Sequence, residues 1–369
     1  MRITEYPMIV IFAAVCLCML AGYIVLPQND FSDMENRYLQ KRPAVTLSTL
    51  ADGSFMDSFE TYTNEQIPLR NLFVKCKAVC MWASLASEND GIAKGRDGYL
   101  FDKVLGTDDR FSKNVKSISS FAASADRDVY IAVAPTSVWI NAGRLPKGMP
   151  VLDEASCTGV LTAELSDEKN AHMIDLYDEL CGHPDEQLYY RTDHHWTTDG
   201  AGYAYKKIAS SMGFIPQDIT RYEKHVADDF YGTHYAKYKG LFVEPDSIEY
   251  YDVPIDRLEL EKRTVDGLMD ESKLNGYDKY AAFMYGNDGR YVVKADKGLG
   301  KDLIIFKDSY ANCLIPYLVM NYDSITAIDL RYFAGSVKEE LSANKDADVL
   351  LLYNLTFLND DNHFYKLAN

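Results

Sequence analysis

Three largely apolar runs near the C-terminus constrain the fold of this chain more than any other feature: residues 303–306, 325–330 and 349–353. The first and last are continuous rather than alternating, which is how a strand buried on both faces reads. Helical stretches at 310–320 and 336–343 lie between them, so the order strand, helix, strand, helix, strand predicts a parallel sheet covered by helices. Upstream, a run at 129–134 rich in β-formers is stopped by Pro135, and a shorter candidate at 173–176 follows a helical stretch at 159–168. The expected class is α/β, a three-layer arrangement with helices on both faces of the sheet.

The N-terminus is different in kind. Residues 6–29 carry no charged side chain and 8–26 are almost wholly apolar, matching the roughly 20 residues a helix needs to cross a bilayer. Arg2 precedes this run while Asp30, Asp33 and Glu35 follow it, which orients the N-terminus to the cytoplasm and the bulk of the chain outside. The run exceeds a usual signal core of about 7–15 residues. No clear small-x-small site precedes Pro27, so an uncleaved anchor is expected rather than a secreted product.

The remainder divides into a helical lead-in over 30–94, with apolar residues at helical spacing in 55–62 and 72–85, and a main domain over 95–369. That domain opens with the turn Gly95-Arg96-Asp97-Gly98 and a short strand at 99–101. Residues 214–297, rich in tyrosine, aspartate and glycine, fit the alternation poorly and read as an insertion. Within it Asn287-Asp288-Gly289 has the form of a hairpin turn entering a strand at Arg290.

With 38 basic and 55 acidic side chains the formal charge is -17, which argues against nucleic acid, whose phosphates require a basic footprint. The 27 tyrosines serve either a core and its rim or an aromatic-lined carbohydrate cleft. Five of the seven cysteines lie outside the apolar run, without a CxxC pair. Cys76 and Cys80 read as buried helix positions, and a bridge between Cys157 and Cys181 stays open.

Two stretches carry chemistry. The run at 303–306 ends in Lys307-Asp308-Ser309-Tyr310, and ligands of an open parallel sheet gather at such carboxyl ends. Ser309 on a strand-to-helix turn is a nucleophile candidate, with its amide at a helix start where an oxyanion is stabilised; the alternative is that Asp308 or Ser309 only caps the helix. The second stretch is Tyr190-Arg191-Thr192-Asp193-His194-His195-Trp196. Asp193 and His195, one residue apart, fall on one side of an extended loop, so the carboxylate can orient the imidazole and His195 can serve Ser309 as base. His194 then faces away, a structural or substrate-side residue. Trp196 packs beneath the loop or stacks on a sugar. Thr197, Thr198 and Asp199 read as caps of a helix over 201–212. Zinc held by Asp193, His194 and His195 with His172 or His183 is the competing reading, but neither HExxH nor a HxH pair occurs, and the expectation is no metal and no cofactor.

The string Asp193-His194-His195-Trp196 resembles the signature after which the DHHW family is named. More distantly the chain is similar to the SGNH-hydrolase-like alginate O-acetylation proteins. Glu35-Asn36-Arg37, the segment 95–101, the segment 190–200 and Asp308-Ser309 carry the resemblance in order. It implies an SGNH-like fold with permuted motif order, Ser309 as nucleophile, His195 as base and Asp193 as its partner. Lys307 departs from it, standing where the glycine of a Gly-Asp-Ser block is expected. Asn354, after the run at 349–353, falls where the SGNH asparagine is expected; Arg331 and Tyr332, after 325–330, are further oxyanion or substrate candidates. The implied activity is O-acyl transfer, acetyl above all, on a cell-envelope polysaccharide, with a multispanning membrane acyltransferase as partner. A carbohydrate O-acetylesterase and a non-catalytic polysaccharide-binding scaffold are the alternatives.

Overall fold

Strand residues alternate between two buried faces, and here the two faces fill two separate cores. Leu303, Ile305, Leu350 and Leu352 pack in one apolar cluster, whereas Ile304, Phe306, Val349 and Leu351 pack in another. This period of two with both phases apolar is what makes the runs continuous in sequence.

The computed structural model describes residues 6–32 and 37–368; Arg2, Asp33, Glu35, Asn36 and the Arg37 side chain lie outside the described residues. The chain forms two compact units, one of Met1–Asn89 with Lys239–Phe242, the other of Asp90–Tyr238 with Val243–Asn369.

The first unit holds α1 (Pro7–Val25), α2 (Ser54–Glu65) and α3 (Arg70–Ala83). Helix α1 is 19 residues long and apolar enough to cross a membrane. Cys76 and Cys80 are exposed, contrary to expectation, because α3 buries only Ala78.

In the second unit, β1 (Ile92–Lys94) and β2 (Leu100–Asp102) form a hairpin. Its turn keeps Gly95, where a Cβ would come 2.4 Å from the Phe101 ring. There follow α4 (Asp109–Ser124), β3 (Val129–Ala134), α5 (Glu154–Leu165), β4 (Ala171–Asp175) and α6 (Thr198–Ser211). The tyrosine-rich segment contributes β5 (Lys224–Phe230), β6 (Asp246–Tyr251), β7 (Arg257–Glu259), β8 (Thr264–Val265) and β9 (Arg290–Lys294). The chain ends with β10 (Asp302–Lys307), β11 (Ser324–Ile328), α7 (Val337–Ala343) and β12 (Asp348–Asn354) among its later elements.

Among the described residues the main sheet has eight strands in the order β8-β7-β9-β11-β10-β12-β3-β4. The five from β11 to β4 are parallel, and β9, β7 and β8 extend the sheet antiparallel. Helix α6 covers one face through Ala201, Ala204 and Ile208; α4 and α5 cover the other through Val115, Ile118, Leu161 and Leu165. This is the SGNH-like three-layer α/β architecture.

Two local expectations are corrected. The helix foreseen at 310–320 is a 3-10 turn, Ser309–Cys313, followed by the short helix Ile315–Leu318; Pro316, which lacks an N–H, cannot sit inside a longer regular helix. The turn at 287–289 does lead into a strand, but β9 pairs with β7 and β11 rather than with a local hairpin partner. All seven cysteines are free, with Cys157 buried and Cys181 exposed. Tyr189, Tyr190, Tyr205, Tyr291, Tyr310 and Tyr322 are among the largest fully buried side chains, so much of the tyrosine content is core.

Candidate active site

Strand β10 lies between β11 and β12, and its carboxyl end delivers Lys307, Asp308 and Ser309. Asp308 takes the capping role: Oδ1 accepts from Tyr310 N at 2.8 Å. Its Oδ2 accepts from Asn354 N at 2.6 Å and Nδ2 at 2.7 Å at the end of β12. The buried carboxylate thereby ties two neighbouring strand ends together and leaves the Ser309 hydroxyl free for another partner. That partner is His195, whose Nε2 is 2.7 Å from Ser309 Oγ.

The loop bearing His195 is a closed bend, not the extended segment the one-residue spacing suggested. Tyr189 and Trp196 form an antiparallel bridge, and Tyr190 N donates to His195 O at 3.2 Å. Within the bend, Asp193 Oδ1 accepts from both His195 N at 2.9 Å and His195 Nδ1 at 2.5 Å. The same carboxylate is held from the tyrosine-rich segment: Thr233 N and Oγ1 donate to Oδ2 at 2.7 and 2.9 Å. Gly232 allows this approach, since a Cβ there would lie 2.2 Å from Asp193 Cβ. Burial opposes the charged form of Asp193, yet His194, His195 and the Thr233 N–H outweigh it and hold the carboxyl well below its ordinary range. With the Nδ1 proton committed to Asp193, neutral His195 presents an unprotonated Nε2 to the Ser309 hydroxyl.

His194 does not face away. Its ring centroid lies 3.8 Å from that of His195, its Nδ1 is 2.7 Å from Thr233 Oγ1, and it lines the same cavity as Ser309. The bend removes the alternation that an extended loop would impose. Burial and the adjacent His195 push its pKa down to about 4. Trp196 takes the packing role: it is 0% exposed and its indole N–H donates to Tyr310 O at 2.9 Å. Thr197 caps α6, Oγ1 accepting from Gly200 N at 3.2 Å.

Ser309, His194, Arg331 and Asn354 line a cavity of about 520 Å³ at the carboxyl edge of the sheet. The Arg331 guanidinium is held by Asp329, with Nε to Oδ1 at 2.9 Å and Nη2 to Oδ2 at 2.6 Å. Asn354 is committed on two sides, Nδ2 to Asp308 and Oδ1 accepting from Phe357 N at 2.9 Å. Tyr332 is 53% exposed and stacks against Arg331. Lys307, fully buried, donates to Asn312 Oδ1 at 2.6 Å and lies over the Tyr291 ring; burial pushes its pKa down to about 8.

Asp193, His194 and His195 place their ligand atoms within 4.8 Å of one another, the constellation a metal reading requires. Both His195 nitrogens are engaged by Asp193 and Ser309, however. His172 and His183 pair instead with Asp128 and Glu186.

Several contributing residues carried no signal of their own. Tyr280 stacks on His195 at 3.7 Å and 9°, with its hydroxyl donating to Ser309 O at 3.1 Å. Asp246 Oδ2 accepts from Thr192 N and Oγ1 at 2.8 and 2.7 Å, fixing the base of the bend. Single polar residues in an irregular segment have no periodicity to betray them; the adjacency of Gly232 and Thr233 was the one available hint.

Fold and geometry thus define a class: an SGNH-like α/β protein with serine, histidine and aspartate in one hydrogen-bonded chain at the carboxyl edge of its sheet. The chain belongs to the DHHW protein family, whose family model matches residues 127–328. It is 23% identical over 175 residues to the probable alginate O-acetylase AlgJ of Pseudomonas fluorescens, a match covering 45% of this chain and 44% of that one; the chain therefore spans less than half the length of this curated relative. A DHHW family protein from Eubacterium siraeum superposes with a TM-score of 0.63 at 23% identity, covering 76% of this chain and 96% of that one. Bacillus cereus PatB1, solved with a sulfonyl adduct, gives 0.61 at 18% identity, covering 75% and 98%. These likenesses establish the fold.

Proposed function

We propose that this chain is an O-acyltransferase, with acetyl as the acyl group, that modifies a cell-envelope polysaccharide or exopolysaccharide through an acyl-Ser309 intermediate. The observation that carries this reading is the continuous chain from Asp193 through His195 to Ser309, at 2.5 and 2.7 Å. The name of the Pseudomonas fluorescens relative, an alginate O-acetylase, supports the choice of acyl group and acceptor class.

In this mechanism Ser309 Oγ attacks the donor carbonyl as His195 Nε2 takes its proton, and Asp193 stabilises the imidazolium. The proton passes to the leaving group and acyl-Ser309 remains. An acceptor hydroxyl then attacks, giving its proton to His195, and the ester to Ser309 breaks as Oγ is reprotonated. Arg331 and Asn354 line the same cavity and are the candidates to stabilise the developing negative charge. Helix α1 holds the protein at the membrane with the α/β domain outside the cytoplasm, where a multispanning membrane acyltransferase supplies acyl groups. The half-buried Ser309 makes a carbohydrate O-acetylesterase the second reading, since water can intercept the same intermediate.

Turnover of p-nitrophenyl acetate by the detergent-solubilised chain tests the first step. Ser309→Ala is expected to lower kcat by about 10³-fold or more and Asp193→Asn by up to about 10⁴-fold. Equal rates in parent and Ser309→Ala would remove Ser309 as nucleophile.

A further inference from the structure

His234, on the short helix Thr233–Tyr238, is 3% exposed and lines the cavity that contains Ser309. Its Nδ1 lies 3.0 Å from Leu100 O. A carbonyl can only accept, so Nδ1 carries the proton and Nε2 of the neutral ring is an acceptor. Burial outweighs the nearby carboxylates and lowers the pKa of this ring, which keeps it neutral. Yet Nε2, buried, has no hydrogen-bond partner among the described residues. The Asp102 carboxylate, its Oδ1 3.7 Å away, is another acceptor and cannot satisfy it. Leaving such a group unpaired costs about 1–3 kcal/mol, and a native fold that tolerates it asks for an explanation.

His194 repeats the pattern. The Thr233 hydroxyl donates to Asp193 Oδ2 and so accepts from His194 Nδ1–H, leaving the His194 Nε2 unprotonated in a side chain 36% exposed. His234, His194 and Asp102 line the same cavity and between them carry three acceptors, two Nε2 atoms and a carboxylate. Acceptors call for donors, and a ligand rich in hydroxyls supplies them.

We propose that His234, with Asp102, forms the acyl-acceptor subsite, accepting hydrogen bonds from saccharide hydroxyls adjacent to the one that attacks acyl-Ser309. This rests on the acyl-Ser309 reading above. His234 moves no proton: the reacting hydroxyl forms the new ester bond to the acyl carbon and passes its proton through His195 Nε2 to Ser309 Oγ as the old ester breaks. His234 fixes the sugar so that one hydroxyl reaches that carbon.

The test uses the full chain in detergent, p-nitrophenyl acetate as donor, and xylohexaose, cellohexaose and glycerol as probe acceptors. The p-nitrophenolate burst reads acylation, and mass spectrometry of acetylated product reads transfer. In His234→Asn the amide replaces the Nδ1–H donor to Leu100 and removes the unpaired Nε2 acceptor; in His234→Gln an acceptor returns near the Nε2 position. The half-saturating saccharide concentration is expected to rise about tenfold more in His234→Asn than any fall in its burst rate, and His234→Gln is expected to recover most of that. The proposal is overturned if acylation and transfer fall in parallel, if saccharide dependence is unchanged, or if the parent gives a burst but transfers to none of the probes. A parent with no burst would instead overturn the acyl-Ser309 reading, and this inference with it.

Discussion

Glu154 lies under the loop that follows β3, its Oε2 accepting from Thr136 N at 3.0 Å and its Oε1 bonded to the Thr136 hydroxyl. Burial outweighs these bonds and pushes its pKa from 4.5 up to about 7. The folded state thus keeps a proton that the unfolded chain releases, so this stability is complete below about 4.5 and is lost as pH rises through about 7. Glu154→Gln reproduces the donor and acceptor of the protonated acid. It is expected to gain roughly 1–3 kcal/mol over the parent at about pH 8 and nothing at about pH 4; melts that coincide at both values contradict this. Trp196 makes a second residue-scale case. Trp196→Phe removes the indole donor from the buried Tyr310 carbonyl and leaves it only the weak Cys313 thiol donor at 3.7 Å among the side chains; it is expected to destabilise by about 1–3 kcal/mol, measured by denaturant titration, with the distance from Ser309 to His195 preserved.

Among the elements, the connection between β5 and β6 decides whether the carboxylate is held. Gly232→Ala would drive a methyl into Asp193, so kcat for p-nitrophenyl acetate is expected to fall about 10²-fold, the penalty for displacing a catalytic group by about 1 Å. Parent-like turnover in Gly232→Ala would show that the bend is stiff enough without this support. This element was the least legible in the sequence. The apolar runs of β3, β10, β11 and β12 announce themselves through both strand phases being buried, and Ser309, His195 and Asp193 stand out by residue type and position. The grip on Asp193 by Thr233, the Tyr280 ring over His195 and the Asp246 anchor come from a segment with no clear period. His194 departs from the extended-loop expectation for a related reason: Asp193 accepts the N–H of His195, two residues on, which bends the loop, and spacing rules written for extended backbone then fail.

For the molecule as a whole, an apolar helix of 19 residues precedes an acidic protein with an acceptor-rich cavity. The full chain is expected to stay in the membrane pellet after an alkaline carbonate wash, whereas a chain beginning at residue 30 is expected in the supernatant; full-length protein released by the wash would contradict an anchor. The parallel sheet gathers Ser309, Arg331 and Asn354 from adjacent strand ends, the tyrosine-rich segment brings Thr233 and His234 to the same place, and the central claim is that this cavity forms acyl-Ser309. Peptide mapping by mass spectrometry after a brief reaction with p-nitrophenyl acetate and an acid quench tests that claim most directly. The account predicts one acetyl group on the peptide containing Ser309, absent in Ser309→Ala and strongly reduced in Asp193→Asn. Acetylation spread over surface lysines with Ser309 unmodified, or an identical adduct in Ser309→Ala, would contradict it.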